Sequence, residues 1–271
     1  MSAKAKKILS DILYPLAVVA AGGGVLGGAA PPEGGAHVLR PNPMILPTPA
    51  EAVREFFAYL GSSSFWRAVG NTAWRAAYSF VISFVLALAF AILSHFFKTA
   101  ERLIRPFVAI IRAIPTMAVI LILIICLNSR LAPAVVAIIV IFPTMYSSFF
   151  AAIRGVDPKL VQMSKVYSVS PKDSLFKLYL PNMAEGLFEG SASGISLNIK
   201  LVIAAEVQAQ TMSSLGNLMY NAKWMLETEK LFALTIAAVI LSVACEWLIR
   251  LIGRAVIRGK TKKYIFFAHL L

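Results

Sequence analysis

The chain has 271 residues, of which 59% are hydrophobic and 14% charged, and carries a formal net charge of +13. Soluble domains carry about a quarter charged residues, so this composition excludes an ordinary soluble globular protein. The basic excess does not mark nucleic-acid binding, because the lysines and arginines stand at the ends of apolar runs of about 20 residues, the length that crosses about 30 Å of hydrocarbon.

The pattern predicts an all-α integral membrane protein with about six transmembrane helices. The first apolar segment, Ile12–Ala30, is rich in glycine and follows Lys4, Lys6 and Lys7. A cleaved signal peptide has the same layout, but the apolar run continues past the small residues around Ala20, which favours a retained span. Pro31–Pro49 reads as a Pro/Gly-rich loop. Pro49–Leu60 reads as a short amphipathic helix with Val53, Phe56, Phe57 and Leu60 on one side. It suits either the membrane interface or packing on the next span.

Five further spans follow at Thr72–Phe96, Phe107–Leu127, Leu131–Ile153, Met183–Val207 and Leu231–Ile252. A short basic loop (Lys98, Arg102, Arg105) and the turn Asn128-Ser129-Arg130 separate the second, third and fourth. A polar segment, 154–181, precedes the fifth, and the basic tail Arg254–Lys263 closes the chain. Pro115 and Pro143 interrupt the third and fourth spans, each as a hinge or as a tolerated kink.

Lysine and arginine counts over short loops set orientation. With the N-terminus in the cytoplasm, eighteen fall inside (Lys4, Lys6, Lys7, Lys98, Arg102, Arg105, Arg112, Arg154, Lys159, Lys165, Lys172, Lys177, Arg250, Arg254, Arg258, Lys260, Lys262, Lys263) and six outside (Arg40, Arg54, Arg67, Arg130, Lys223, Lys230). Both termini and the polar segment are therefore expected in the cytoplasm.

The fifth span is the least like a lipid-facing helix. It carries Glu185, Glu189, Asn198, Lys200 and Glu206, and ionisable groups at membrane depth are costly unless they face a bundle interior or a water-filled path. Gly186, Gly190 and Gly194 recur every four residues, a stripe that lets another helix approach closely. Ser193, Ser196 and Lys200, with Glu206 further on, are the candidates for lining a path. The alternative for Lys200 is an ion pair that only satisfies the fold.

No catalytic constellation is visible. His37, His95 and His269 are too scattered for a metal site, and Cys126 and Cys245 read as small buried hydrophobes without a disulfide framework. There is no G-x-x-x-x-G-K-[ST] phosphate loop, and Gly22–Gly28 lack the lysine that would reach a phosphate. Energy for any transport must come from another subunit.

The polar segment is doubly capped. Asp157 and Pro158 suit the start of one helix, running to about Tyr167, with Leu160, Met163 and Tyr167 on one face. Ser170-Pro171-Lys172-Asp173 has the spacing of a capping box for a second helix, ending near Leu180 before Pro181. On these signals alone the segment is either a docking surface or a helix pair packed on the base of its own bundle.

Its spacing resembles the cytoplasmic loop of permease subunits of ABC importers: Glu-Ala-Ala, three residues, Gly, nine residues, Ile, one residue, Leu-Pro. The register falls on Gln162, Met163, Ser164, then Ser168, then Leu178, Leu180 and Pro181 without a gap. Gln162 replaces the acid, Met163 the first alanine and Ser168 the glycine, which would end the first helix in a left-handed conformation that serine adopts less readily. Leu46-Pro47-Thr48-Pro49-Ala50-Glu51-Ala52-Val53, Arg112-Ala113-Ile114-Pro115-Thr116, Ala204-Ala205-Glu206 and Leu226-Glu227-Thr228 are similar to the subgroup for nitrate, sulfonates, taurine, bicarbonate and thiamine-related compounds.

The resemblance implies a type I ABC importer permease fold in the bacterial inner membrane. Residues 1–45 would hold the first span and an extracytoplasmic loop. Residues 46–254 would form the permease core, with coupling helices at 157–180, and 255–271 a basic cytoplasmic tail. It implies that Leu160, Gln162, Met163, Ser164, Lys165, Tyr167, Ser168, Leu180 and Pro181 form the ATPase-coupling surface. The implied partners are a cytoplasmic ABC ATPase holding ATP and Mg, an extracytoplasmic solute-binding protein and a second permease subunit, in a homodimer. The chain itself would hold no cofactor. The substrate would be a small anion or small organic solute (nitrate-, sulfonate- or taurine-like), or a heterocycle such as a thiamine precursor. A membrane-embedded enzyme or scaffold with a structured cytoplasmic loop, and a self-sufficient secondary transporter, are the readings from other classes. The first lacks clustered His, Asp or Glu, and the second lacks an internal repeat.

Overall fold

The computed structural model describes residues 47–268, so the expected first span Ile12–Ala30 and its lysines lie outside the described residues. In chain order the long helices are α1 (Pro49–Leu60), α2 (Ser63–Phe96), α3 (Lys98–Ala113), α4 (Thr116–Cys126), α5 (Ala132–Arg154), α6 (Pro158–Val166), α7 (Ala184–Ala209), α8 (Leu215–Trp224) and α9 (Thr228–Ala268). Between α6 and α7 lie a turn at Pro171–Asp173, a π-helical stretch at Ser174–Tyr179 and a last turn at Leu180–Asn182.

α1 occupies the expected residues. Thr48 and Glu51 form a reciprocal cap, with the Thr48 amide donating to Glu51 Oε2 at 2.7 Å and the Glu51 amide donating to Thr48 Oγ1 at 3.3 Å. These bonds hold the Glu51 carboxyl below its ordinary value. The helix packs chiefly on α9 and more lightly on the start of α2, where Tyr59 meets Phe65.

α2 begins at Ser63 rather than at Thr72 and runs unbroken through Gly70. Its buried face is a row of small residues, including Ala68, Thr72, Ala76, Ser79, Ser83, Ala87 and Ala91. That row lets α2 lie close against α5 and α7.

The expected third span is not one helix. α3 and α4 meet at a 92° bend. Proline pushes the residue before it out of the helical region, and Ile114 is extended (φ −73, ψ 127) ahead of Pro115. Pro143, by contrast, lies inside the continuous helix α5. The difference is packing: Phe142, Met145 and Tyr146 around Pro143 are buried, whereas Ile114 is exposed.

α2, α5 and α9 are each long and apolar enough to cross a membrane, and the bent pair α3–α4 meets the same test together. α7, at 26 residues, is long enough and is the hub of the bundle, touching α2, α5, α8 and α9. The core between them includes Met145, Phe149, Ile199, Val202, Leu215 and Leu234. Cys126, expected to be buried, is exposed at the end of α4, and both cysteines are free.

Candidate functional site

The 157–182 segment is built by its own local chemistry. Asp157 caps α6, accepting from the Lys159 amide at 2.8 Å, and Pro158 fills the first helical position, where no amide partner is needed. α6 ends in a Schellman motif. The Val169 amide donates to the Ser164 carbonyl and the Ser168 amide to the Lys165 carbonyl, each at 3.0 Å. Ser168 holds the left-handed conformation (φ 49) that the family's glycine would supply.

The second helical stretch starts on Ser170, whose Oγ accepts from the Asp173 amide at 3.1 Å and donates to Asp173 Oδ2 at 3.0 Å. This is half of the expected capping box, since the carboxylate takes the hydroxyl rather than the Ser170 amide. Lys177 and Ser170 hold the Asp173 carboxyl below its ordinary value, with Lys177 the larger influence. The helix then widens to π geometry and passes through Pro181 instead of stopping at Leu180. The proline ring would press on the carbonyl four residues back in an α-helix. The wider turn relieves this, with the Leu180 amide reaching the Leu175 carbonyl.

One face of this segment is tied to the bundle and the other is bare. Tyr179 is buried and packs edge-on against His95 of α2, with ring centroids 4.8 Å apart. Ser164 turns inward and shares a 2.7 Å hydrogen bond with Ser174, so it links the two stretches and is not offered outward. Leu180 and Pro181 are half-buried. Gln162, Lys165 and Ser168 are exposed, and so are Leu160, Met163 (54%), Val166 (81%) and Tyr167 (75%). A cluster of large apolar side chains left bare among polar ones marks an interaction surface.

α7 sorts the remaining candidates by face. Gly186, Gly190 and Gly194 face α5, where a Cβ on each would lie 2.7 Å from Ala152 Cβ, 2.9 Å from Ser148 Cβ and 3.1 Å from Met145 Cγ respectively. Glu185, Glu189, Ser193, Lys200, Ala204 and Gln208 form an exposed stripe along the helix. Lys200 takes part in none of the ion pairs among the described residues. Ser196 is turned aside toward α9 and shares a 3.0 Å hydrogen bond with Ser242.

Glu206 lies away from that stripe, fully enclosed. Its carboxylate pairs with Arg75, accepts from Thr72 Oγ1 at 2.9 Å and from the Gly216 amide at 3.2 Å. In this conformation it is a structural knot of α2, α7 and α8, without exposed surface among the described residues. Arg75 escaped the sequence reading. Its signal was a lone arginine inside an apolar span, which calls for a buried partner or a water-filled cavity. Lower on the same helices, Asn198 Nδ2 donates to the Ala76 carbonyl at 2.6 Å and Ser79 Oγ donates to Asn198 Oδ1 at 3.1 Å. α8 was also missed. Its signal was Ser214, whose Oγ accepts from the Asn217 amide at 3.0 Å.

A membrane-spanning helical bundle that holds a capped, half-tied helix pair between two spans has the layout of a transport permease. The chain belongs to the family of binding-protein-dependent transport system inner membrane components, which it matches over residues 79–258. It is therefore an ABC importer permease, and ATP hydrolysis resides in a partner ATPase.

Among its relatives is a Bacillus subtilis (strain 168) protein provisionally named as the aliphatic sulfonates transport permease SsuC. It is 25% identical over 80% of this chain and 78% of its own length. The Escherichia coli (strain K12) protein with the same provisional name is 26% identical over 68% of this chain and 70% of its own. These relatives agree with the sulfonate and nitrate subgroup read from the sequence. Among solved structures, the inward-facing MetNI methionine ABC transporter matches with a TM-score of 0.59 at 17% identity, over 72% of this chain and 95% of that one. An amino acid ABC transporter solved with histidines matches at 0.60 and 12% identity, over 76% and 96%. These likenesses establish the type I importer permease fold.

Proposed function

We propose that two copies of this chain form the translocation path of an importer for a small organic anion of the sulfonate class. The chain would lie in a bacterial plasma membrane with both termini in the cytoplasm. A cytoplasmic ATPase holding ATP and Mg would dock on α6, and an extracytoplasmic solute-binding protein would deliver the substrate. Residues 46–254 would be the permease core and 255–271 a cytoplasmic tail.

The observation that carries this reading is the bare apolar face of Met163, Val166 and Tyr167, on a segment whose other face is tied to α2 through Tyr179 and His95. A partner that grips the bare face moves the bundle through the tied one. Closure of the ATPases would drive α6 and the π-helical stretch together, and Pro181 would pass that motion into α7 as a rigid body. The 92° break at Pro115 supplies a second place where spans can reorient.

The substrate class draws on the names of the relatives and on Lys200. An ammonium on the exposed stripe of α7 has no carboxylate among the described residues to neutralise it. Ser193 on the same stripe adds a hydroxyl donor. In a second subunit the same stripe would face its counterpart across the path. The test is a reconstituted complex of permease, ATPase and binding protein. Binding protein loaded with an alkanesulfonate or taurine should stimulate ATP hydrolysis, and stimulation only by a cationic or neutral heterocycle would refute the substrate class.

A further inference from the structure

Arg112, part of the Arg112-Ala113-Ile114-Pro115-Thr116 stretch, has so far served only in the count of charges on the cytoplasmic side. It lines a cleft of 430 Å³ between α3 and α5, together with Arg105, Arg154, Tyr146, Ser147 and Phe150. Topology alone explains arginines at the end of a span, and Arg154 stands at the end of α5. It does not explain the depth at which the Arg112 guanidinium lies. Its Nη2 donates at 3.1 Å to the carbonyl of Pro143, eleven residues before the end of α5, or about 16 Å along the helix axis. A guanidinium at that depth faces either a bundle interior or water, and Arg112 is exposed.

The charge of the cleft is unbalanced. Among the described residues Glu101 is the one carboxylate paired with its arginines, at 2.8 Å from Arg154 and 3.6 Å from Arg105. Arg112 is in none of the ion pairs among the described residues. The wall is fixed. Tyr146 and Phe150 stack with planes 8° apart, Tyr146 is pinned through its hydroxyl to Ser94 at 2.9 Å, and Arg154 lies over the Phe150 ring at 4.4 Å. The cleft thus offers a planar guanidinium fork, suited to two oxygens of one acid group, beside an apolar aromatic wall.

We infer that this cleft binds a single tetrahedral oxyanion from the side of α6, with Arg112 as its inner contact. The apolar wall suits an anion with a short carbon stem, which is the chemistry of an alkanesulfonate leaving the path. The phosphate of an anionic phospholipid has the same oxyanion chemistry. The sulfonate source rests on the substrate reading above; the oxyanion site does not.

The test uses the full-length permease with Cys126→Ser, Cys245→Ser and Ala109→Cys, in phosphatidylcholine nanodiscs. Ala109 lines the cleft and is exposed. The new thiol should react with the anionic sulfonatoethyl methanethiosulfonate roughly tenfold faster than with the cationic trimethylammonioethyl reagent, the ratio that one charge-assisted hydrogen bond supplies. Arg112→Gln should abolish that preference, and Arg102→Gln, off the cleft on the same helix, should leave it intact. Protection of the thiol by methanesulfonate assigns the site to the soluble anion. Protection only when phosphatidylglycerol replaces phosphatidylcholine assigns it to a lipid headgroup. Equal rates for both reagents in the Arg112 protein, without protection by either anion, overturn the inference. The assay needs neither ATPase nor transport, so that result would leave the permease reading standing.

Discussion

Thr72 and Glu206, on α2 and α7, are joined by a 2.9 Å hydrogen bond while Thr72 Oγ1 also accepts from the Leu215 amide at 3.0 Å. The threonine thereby connects the carboxylate to the start of α8, and Arg75 closes the same knot from the side. One buried acid holds three helices in register. Removing one member of a buried ion pair costs about 3–5 kcal/mol, because the other charge is left uncompensated. Glu206→Ala should therefore cause a large loss of thermal stability in detergent. Arg75→Met combined with Glu206→Leu should recover most of it. A double variant no better than Glu206→Ala would show that the knot works through the hydrogen bonds of Thr72 and Gly216 instead.

Glycines in this bundle are not equivalent. A Cβ at Gly190 would lie 2.9 Å from Ser148 Cβ and 3.3 Å from the Phe149 ring, whereas at Gly70 nothing among the described residues stands within 4 Å. Gly190→Leu should force α5 and α7 apart and leave the protein aggregated on gel filtration. Gly70→Ala should be tolerated and add about 0.5–1 kcal/mol, the usual gain for alanine over glycine inside a helix. Normal behaviour of Gly190→Leu would mean that the two helices are not packed along this stripe.

Ser168 occupies a left-handed position that closes α6. For a residue with a side chain this backbone costs about 1–2 kcal/mol, partly offset by the greater unfolded-state freedom of glycine. Ser168→Gly should slow hydrogen exchange at the Val169 amide, and Ser168→Val should accelerate it. Equal exchange in all three proteins would contradict the Schellman closure.

Much of this was legible before the fold. Asp157-Pro158 and Ser170-Pro171 marked both starts of the polar segment because capping is local, and the same holds for Thr48 and Glu51 in α1. Pro115 and Pro143 could not be told apart in sequence. Their fates depend on burial of their neighbours, which packs Phe142 and leaves Ile114 bare. Glu206 was read as lining a path because its partner Arg75 lies 131 residues away, beyond any periodicity. Ser196 fell on the expected polar stripe, but its hydroxyl meets Ser242, which no spacing on α7 announces. Ser164 matched the family register, yet Ser174 turns it inward.

Lys200 separates two roles that the sequence left open. It is exposed and absent from the ion pairs among the described residues, so Lys200→Ala should leave thermal stability within about 0.5 kcal/mol of the parent, as for other exposed substitutions. Transport of an anionic substrate should fall, with the affinity of the binding protein unchanged. A destabilised but fully active variant would return Lys200 to a structural role.

The central claim is that the bare face of α6 is gripped by an ATPase. The most direct measurement is cross-linking of the full complex through Val166→Cys, at the most exposed apolar position of α6, with Ser164→Cys as the inward-facing control. The account predicts a disulfide or short-linker product between the Val166→Cys permease and a cysteine-bearing ATPase surface, much weaker for Ser164→Cys. It also predicts loss of transport with Val166→Glu while the permease still inserts and stays monodisperse. No cross-link from Val166→Cys together with full transport by Val166→Glu would contradict it and leave the segment as a surface helix pair.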